Sequence, residues 1–257
     1  MSGNERDIQK LSPYGRRSWT MTTLGKLTDQ RNITTITFDM DDTLWDFQAA
    51  MERALELTLE RLRVMAPGDA ARKLTVQQMM DIRDEVASEL GEGATTQEEI
   101  RYTAMVRTVE HVGFRARGAA EELYRLYWEA RVAGARPYDD VAGVLEALQG
   151  RFRLGIISNG NNTPQMVGLD DVFDFTVFAH DCGFPKPDPH IFEFALAELG
   201  DKPENMAHVG DSLQSDVQGA NDYGMVSVWL NRDGAANETG IVPHWEIRDL
   251  TELLEIV

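Results

Sequence analysis

The chain reads as an α/β protein: a doubly wound, Rossmann-like parallel sheet with an all-α helical segment inserted after its first strand. Three observations point to this class. A β-branched run from Ile33 to Phe38 ends at the acidic cluster Asp39-Met40-Asp41-Asp42. From Phe47 to Gly134 the apolar residues recur with helical period. Beyond Pro137 short apolar strands alternate with helical stretches, as parallel strands joined by crossover helices require.

Residues 1–31 are polar and lack periodicity, and are read as a flexible N-terminal extension. Arg16 and Arg17 look like a twin-arginine export signal, but Trp19 to Gln30 supply no apolar segment for one, and Met21 is an alternative start. After the first strand, Phe47 to Met65 forms an amphipathic helix ended by Pro67-Gly68. Thr75 to Leu90 forms a second, stopped at Gly91. Thr96 with Glu99 has the form of a capping box and opens a third, which runs to His111 and halts at Gly113. Ala119 to Val132 is a fourth, rich in Tyr124, Tyr127 and Trp128. Then come a helix at Asp139–Leu148, a buried strand at Arg153–Ile157 and a short strand at Thr176–Ala179. Asp188 is the expected N-cap of a helix at Pro189–Leu199. A strand at Met206–Val209, a helix at Asp216–Tyr223 and a strand at Val226–Leu230 follow. Residues 32–46 and 137–257 are thus expected to form the core, and residues 47–136 a separate helical cap.

With 257 residues, 42% of them hydrophobic, the chain can bury a substantial core. No apolar stretch approaches the ~20 residues that span a bilayer, which excludes the transport ATPases. The formal charge of −18 argues against nucleic acid as a partner. It is the charge of a solvated acidic surface, and a salt-adapted source would look the same. Cys182 is the only cysteine, so no intrachain disulfide forms, which suits a cytoplasmic location; with no base partner in the pattern it is read as a bystander. The expected assembly is a monomer or homodimer without a membrane partner. The histidines, at 111, 180, 190, 208 and 244, lack zinc-site spacing and are given no chemistry.

In doubly wound sheets ligands bind at the carboxyl ends of the strands. Four such ends here carry polar residues of matching chemistry: Asp39 and Asp41; Ser158-Asn159-Gly160; the loop with Lys186; and Gly210-Asp211 followed by Asp216. A carboxylate such as Asp39 can attack a phosphate ester and divide a difficult hydrolysis into two steps. Two anions repel, so Mg2+ is expected between Asp39 and the phosphate, held by hard oxygen ligands such as Asp211. The leaving alkoxide needs a proton, and Asp41 can supply it if neighbouring carboxylates raise its pKa. Ser158, backbone N–H groups near Asn159 and Gly160, and the Lys186 ammonium would meet the phosphoryl charge.

The stretch Phe38-Asp39-Met40-Asp41-Asp42-Thr43-Leu44 resembles the first signature of the haloacid dehalogenase-like superfamily. Ser158 after an apolar strand, Lys186 before Pro187, and Gly210-Asp211 with Asp216 five residues on follow in the family's order. The resemblance runs from Ile33 to the C-terminus. It implies a phosphatase in which Asp39 is nucleophile and Mg2+ ligand, and Asp41 is acid/base with its carbonyl on the metal. Asp211 would be the third protein ligand, and Asp216, also counted with the metal site, would sit behind the ligands or reach the metal through water. Ser158, Asn159 and Lys186 would hold phosphate. Asp42 stands where many members carry Gly or Asn. The position of the helical insertion is similar to that of caps that close over the site.

Asn159-Gly160-Asn161-Asn162-Thr163-Pro164, and His208-Val209-Gly210-Asp211 with Gly219-Ala220 and Gly224-Met225, resemble a bacterial phosphatase branch of riboflavin biosynthesis. That branch acts on 5-amino-6-(5-phosphoribitylamino)uracil and FMN, and Arg101, Trp128 and Arg131 also match it. These three and Trp45 are the candidate substrate contacts. Packing is the alternative for Trp45, Tyr124, Tyr127 and Trp128, and a solvated or ion-paired state for Arg101 and Arg131.

Other phosphatases of the superfamily, for phosphoglycolate, nucleoside monophosphates or sugar phosphates, stay open. So does a phosphomutase. A haloacid dehalogenase uses the same nucleophile but needs neither Asp41 nor the Asp211/Asp216 pair. A non-catalytic binding protein on this scaffold would be expected to lack one of these residues, and none is missing.

Overall fold

β1 (Thr35–Phe38) is buried at every position, as only the centre of a sheet covered on both faces allows. In the computed structural model residues 32–91 and 96–257 are described. The extension expected at residues 1–31, with Arg16, Arg17 and Met21, lies outside them.

The chain leaves β1 into a helical block. Asp46 caps α1 (Phe47–Met65) by accepting from the Ala49 N–H. A short α2 (Asp69–Lys73) leads to α3 (Val76–Leu90), opened by a Thr75/Gln78 capping box. The Thr96/Glu99 box opens α4 (Gln97–His111) as the sequence predicts, and α5 (Ala119–Gly134) completes the block. Leu55, Leu59, Leu62, Met105, Leu123 and Tyr127 share a buried cluster inside it, distinct from the apolar clusters of the sheet. None of the described helices is long and apolar enough to cross a membrane.

The alternating part then follows: α6 (Val141–Leu148), β2 (Arg153–Ser158), β3 (Phe175–Phe178), a short α7 (Ala179–Cys182), α8 (Pro189–Leu199), β4 (Met206–Gly210), α9 (Gly219–Tyr223), β5 (Val226–Leu230), β6 (Trp245–Ile247) and α10 (Leu253–Ile256). The six strands are parallel in the order β3-β2-β1-β4-β5-β6. Ile36, Phe38, Leu154, Ile156 and Val209 face α6 and the C-terminal turn on one side. Ile157, Val177 and Met206 pack with Ile191, Phe192 and Ala220 of α8 and α9 on the other.

Three departures from the sequence reading have local causes. The expected helix at Asp216–Tyr223 begins earlier, as a π-type turn over Leu213–Gln218 whose wide hydrogen bond runs from Val217 N–H to Ser212 O. That turn aims Asp216 back at the sheet. β6 was not expected, because three residues between loops show no periodicity. The short α2, α7 and α10, of four or five residues each, were missed for the same reason.

Candidate active site

Connections run outward from β1 to β2 and β3, then return across β1 to β4, so the topological switch lies between β1 and β4. Phe38 pairs with Val209, which places Asp39 and Asp211 just past adjacent strand ends, on either side of that switch. Ser158 ends β2, on the other flank of β1. The four polar strand ends singled out from the sequence therefore converge.

Beneath the mouth lies a buried ionic network. Lys186 Nζ donates to Asp39 Oδ1, to Asp216 Oδ1 and to the Ile157 carbonyl, each at 2.6 Å. Lys186 stays a cation: burial, which opposes its charge, is outweighed by Asp216 and Asp39. The same balance drives Asp216 well below the usual carboxylate range, because Lys186 and His208 overcome its burial. Asp216 is fully engaged. Its Oδ1 also accepts from His208 Nε2 at 3.2 Å, and its Oδ2 accepts from the Ser212 N–H at 2.9 Å. Since that carboxylate can only accept, Nε2 carries the hydrogen, and Nδ1 of the neutral ring faces Thr37 Oγ1 at 2.9 Å. Burial holds the imidazole below its usual pKa. A Cβ on Gly210 would come within 2.2 Å of Asp216 Cγ, so only glycine allows the strand end to pass so close.

Asn159 is tied to the lysine loop. Its side chain clamps the Lys186 backbone, accepting from the Lys186 N–H at 2.6 Å and donating to its carbonyl at 2.9 Å. It thereby fixes the lysine loop against the end of β2. Ser158 Oγ accepts from the Gly160 N–H at 3.1 Å.

Asp41 sits in a cradle of its own. Trp45 Nε1 donates to its Oδ1 at 2.8 Å. Asn162 Nδ2 reaches Oδ1 at 2.8 Å and Oδ2 at 3.0 Å. Burial and the Asp39 charge push its carboxyl up to about 6. Trp45 is wholly buried, so it offers the cap opening no surface and instead orients Asp41. Asn162, 1% exposed, was given no role from the sequence; its one signal is its place in the amide-rich run after β2. Asp42 takes a left-handed φ of 58°, where Gly, Asn and Asp are the tolerated residues, and its Oδ1 accepts from the Gln48 N–H.

Asp211 Oδ1 accepts from Thr43 Oγ1 at 3.1 Å, while Trp229 Nε1 holds the Asp211 carbonyl at 2.8 Å. Burial together with Asp216 and Asp39 raises the Asp211 carboxyl to about 7. Asp39 is raised as well, by burial and Asp216 against the pull of Lys186. Asp39, Asp211 and Asp216 each offer a carboxylate oxygen, and these lie within 4.8 Å of one another. A hard divalent cation such as Mg2+ fits this all-oxygen set. Both oxygens of Asp216 already have partners, which suits a supporting place behind Asp39 and Asp211.

Two arginines of the helical block meet consecutive asparagines of the core. Arg101 Nη1 donates to Asn161 Oδ1 at 3.3 Å, and Arg131 Nη2 to Asn162 Oδ1 at 3.2 Å. Burial and the neighbouring Arg131 charge pull Arg101 down to about 10. Arg101 lines a cavity of about 320 Å3 with Phe47, Met51, Met79, Arg83 and Tyr127. Arg131 has no exposed surface, and its guanidinium lies 4.4 Å from the Trp128 ring centroid. Larger clefts of about 620 and 800 Å3 contain none of the site residues.

Residues 33–224 match the family of haloacid dehalogenase-like hydrolases. The HAD-hydrolase YfnB of Bacillus subtilis (strain 168) is 31% identical over 230 residues, 87% of this chain and 94% of YfnB. The solved structure of YfnB bound to magnesium matches with a TM-score of 0.69 at 28% identity, over 88% of this chain and 99% of that one. The crystal structure of a 2-haloacid dehalogenase from Pseudomonas syringae pv. tomato DC3000 matches with a TM-score of 0.70 at 31% identity, over 87% and 97%. The 5-amino-6-(5-phospho-D-ribitylamino)uracil phosphatase YigB of Escherichia coli (strain K12) is 26% identical over 234 residues, 88% of this chain and 96% of YigB.

Proposed function

The chain belongs to the haloacid dehalogenase-like hydrolases, and on that premise we propose that it is a Mg2+-dependent phosphomonoester hydrolase working through a phosphorylated Asp39. The observation that carries this reading is Asp41: a second, half-buried carboxyl two residues from the first, fixed by Trp45 and Asn162 and raised to about 6.

Asp39 Oδ1 is held by Lys186, so the attack on phosphorus falls to Oδ2. Asp41 Oδ1 accepts two bonds of 2.8 Å, from Trp45 and Asn162, and Oδ2 only the longer one of 3.0 Å from Asn162, so the transferable proton belongs on Oδ2. As the phosphorus–oxygen ester bond breaks, that proton passes to the leaving alkoxide, and Asp41 then takes a proton from the water that releases Asp39. Ser158 would hold a phosphoryl oxygen, while Lys186, whose three hydrogens go to Asp39, Asp216 and the Ile157 carbonyl, would supply positive charge beneath the phosphate, with Asn159 keeping the lysine in place. Asp39 and Asp211, with Asp216 behind them, would hold Mg2+ together with the Asp41 carbonyl, and the ion would supply positive charge against the repulsion between nucleophile and phosphate. Residues 47–136 serve as a cap over a core of 32–46 and 137–257.

The substrate is a small phosphorylated metabolite. FMN and 5-amino-6-(5-phosphoribitylamino)uracil are the first candidates, supported by the likeness to YigB and by Arg101 and Trp128 in the cap. Phosphoglycolate, nucleoside monophosphates and sugar phosphates are the alternatives. Haloacid dehalogenation is the second reading, favoured by the similarity to the Pseudomonas syringae enzyme; it has no use for Asp41 or for a carboxylate cluster. The deciding experiment measures phosphate release from these esters and halide release from 2-haloacids, with Mg2+ or EDTA. Halide release that ignores EDTA, with no phosphate release, would overturn the phosphatase reading.

A further inference from the structure

Arg131 is the largest charged side chain with no exposed surface, and it forms no ion pair, among the described residues. Its guanidinium is surrounded by the rings of Phe47, Tyr127 and Trp128, at 5.7, 5.7 and 4.4 Å from their centroids. Nε and Nη1 have no hydrogen-bond partner. A buried cation in an apolar setting is a costly arrangement, and packing alone would be served better by methionine or leucine. The one polar contact it makes is Nη2 to Asn162 Oδ1 at 3.2 Å.

That contact fixes which way the Asn162 amide faces. The oxygen and nitrogen of an asparagine side chain are nearly the same size, so in an ambiguous setting the group can flip. Arg131 offers only donors, which forces Oδ1 toward the cap and Nδ2 toward Asp41, where it is found at 2.8 and 3.0 Å from the two carboxylate oxygens. In the flipped state an amide oxygen would face Asp41. It would repel the ionised carboxylate, or capture the carboxyl hydrogen that should go to the leaving group.

We propose that Arg131 is a positioning residue: acting through Asn162, it orients the general acid Asp41, so that a helix of the inserted block completes the acid only while it rests on the loop after β2. The inference rests on the phosphatase reading above. It assigns Arg131 to the acid step and not to contact with substrate, consistent with its lack of surface. It also explains why a charged group is kept where an apolar one would pack.

The test compares phenyl phosphate with p-nitrophenyl phosphate, two esters alike in size whose leaving groups differ in their need for a proton. Arg131→Met is expected to lower kcat/KM for phenyl phosphate about tenfold more than for p-nitrophenyl phosphate. Asn162→Ala should shift the ratio at least as far. Adding Arg131→Met to Asn162→Ala, or to Asp41→Asn, should shift it no further, since the relay is already broken. If Arg131→Met does not fold, Arg131→Lys decides: it keeps charge and stem but lacks the planar fork, and a shift of about threefold or more is expected. Equal losses on both esters, or an unshifted ratio in the folded variant, would overturn the proposal while leaving the phosphatase reading intact. Absence of any turnover that depends on Asp39 would overturn both.

Discussion

Lys186 Nζ lies 2.6 Å from Asp39 Oδ1, so the candidate nucleophile is paired with a buried cation before any phosphate arrives. The same ammonium is equally close to Asp216. Removing the lysine would strand two buried carboxylates, whereas neutralising Asp39 leaves the Lys186–Asp216 pair whole. Lys186→Met is therefore expected to destabilise the protein by about 3–5 kcal/mol, and Asp39→Asn by much less. Asp39→Asn should nonetheless hold phosphate release below about 1% of the wild-type rate, because an amide does not attack phosphorus. Denaturant melts and a phosphate-release assay on the two variants check both halves.

Metal removal has a pH signature. Asp41 and Asp211 are raised to about 6 and about 7 without metal, so the folded protein keeps protons that the unfolded chain gives up near pH 3.8. Stability from these groups is present at low pH and is lost as pH rises through about 6 to 7. His208, held below its usual value, acts in the opposite sense and gains as pH rises toward 6.5. Asp39 and Asp42 are raised too and act in the same sense as Asp41 and Asp211, so the carboxyls outweigh the one imidazole and leave a net loss. The EDTA-treated protein should melt lower at pH 7.5 than at pH 5.5, by roughly 1.4 kcal/mol per pH unit for each net proton. Mg2+ must displace the Asp211 proton, so its affinity should tighten up to about tenfold per pH unit below 7 and then level off. Calorimetry in buffers of different ionisation heat reads the released proton directly, and affinity independent of pH would remove Asp211 from the metal site.

Gly160 tests the geometry of the acid from the other side. A Cβ there would stand 2.5 Å from Asp41 Oδ2, the atom assigned to carry the proton. Gly160→Ala should displace that carboxyl, and turnover of alkyl phosphates is expected to fall about 100-fold with little change in melting temperature. An unchanged rate would mean that Oδ2 is not the donating atom.

The core of the site was legible in the sequence because strand ends are. A buried parallel strand is a continuous apolar run, and the polar residues just past Phe38, Ile157 and Val209 announce themselves by contrast. What escaped was pairing between distant segments. Nothing in the chain order indicates that Asn162 would meet Asp41, or that Asn159 would spend its amide on the Lys186 backbone. His208 shows no metal-site spacing in the sequence, although its strand position opposite Thr37 is what delivers it to Asp216. Trp45 and Arg131 were candidates for touching substrate, and both lie inside because each has a polar partner in the core. Spacing along the chain could not reveal those partners.

Cap and acid should separate when the leaving group is varied. Asp41→Asn removes the proton donor, so kcat/KM for FMN is expected to fall about 1,000-fold, and that for p-nitrophenyl phosphate only about 10- to 30-fold. Some loss on the aryl ester is expected because Asp41 also activates water in the second step. Arg101 is different in kind. It donates to Asn161 and lines the cavity of about 320 Å3. Arg101→Ala should raise KM for FMN about tenfold with kcat nearly unchanged, and leave the small aryl ester within about twofold of wild type, since only the distal part of the larger molecule reaches that cavity. The two variants thus predict opposite patterns across the same pair of esters. A uniform loss in Arg101→Ala would mean that the side chain holds the cap to the loop after β2, and equal losses in Asp41→Asn would remove it from the acid step.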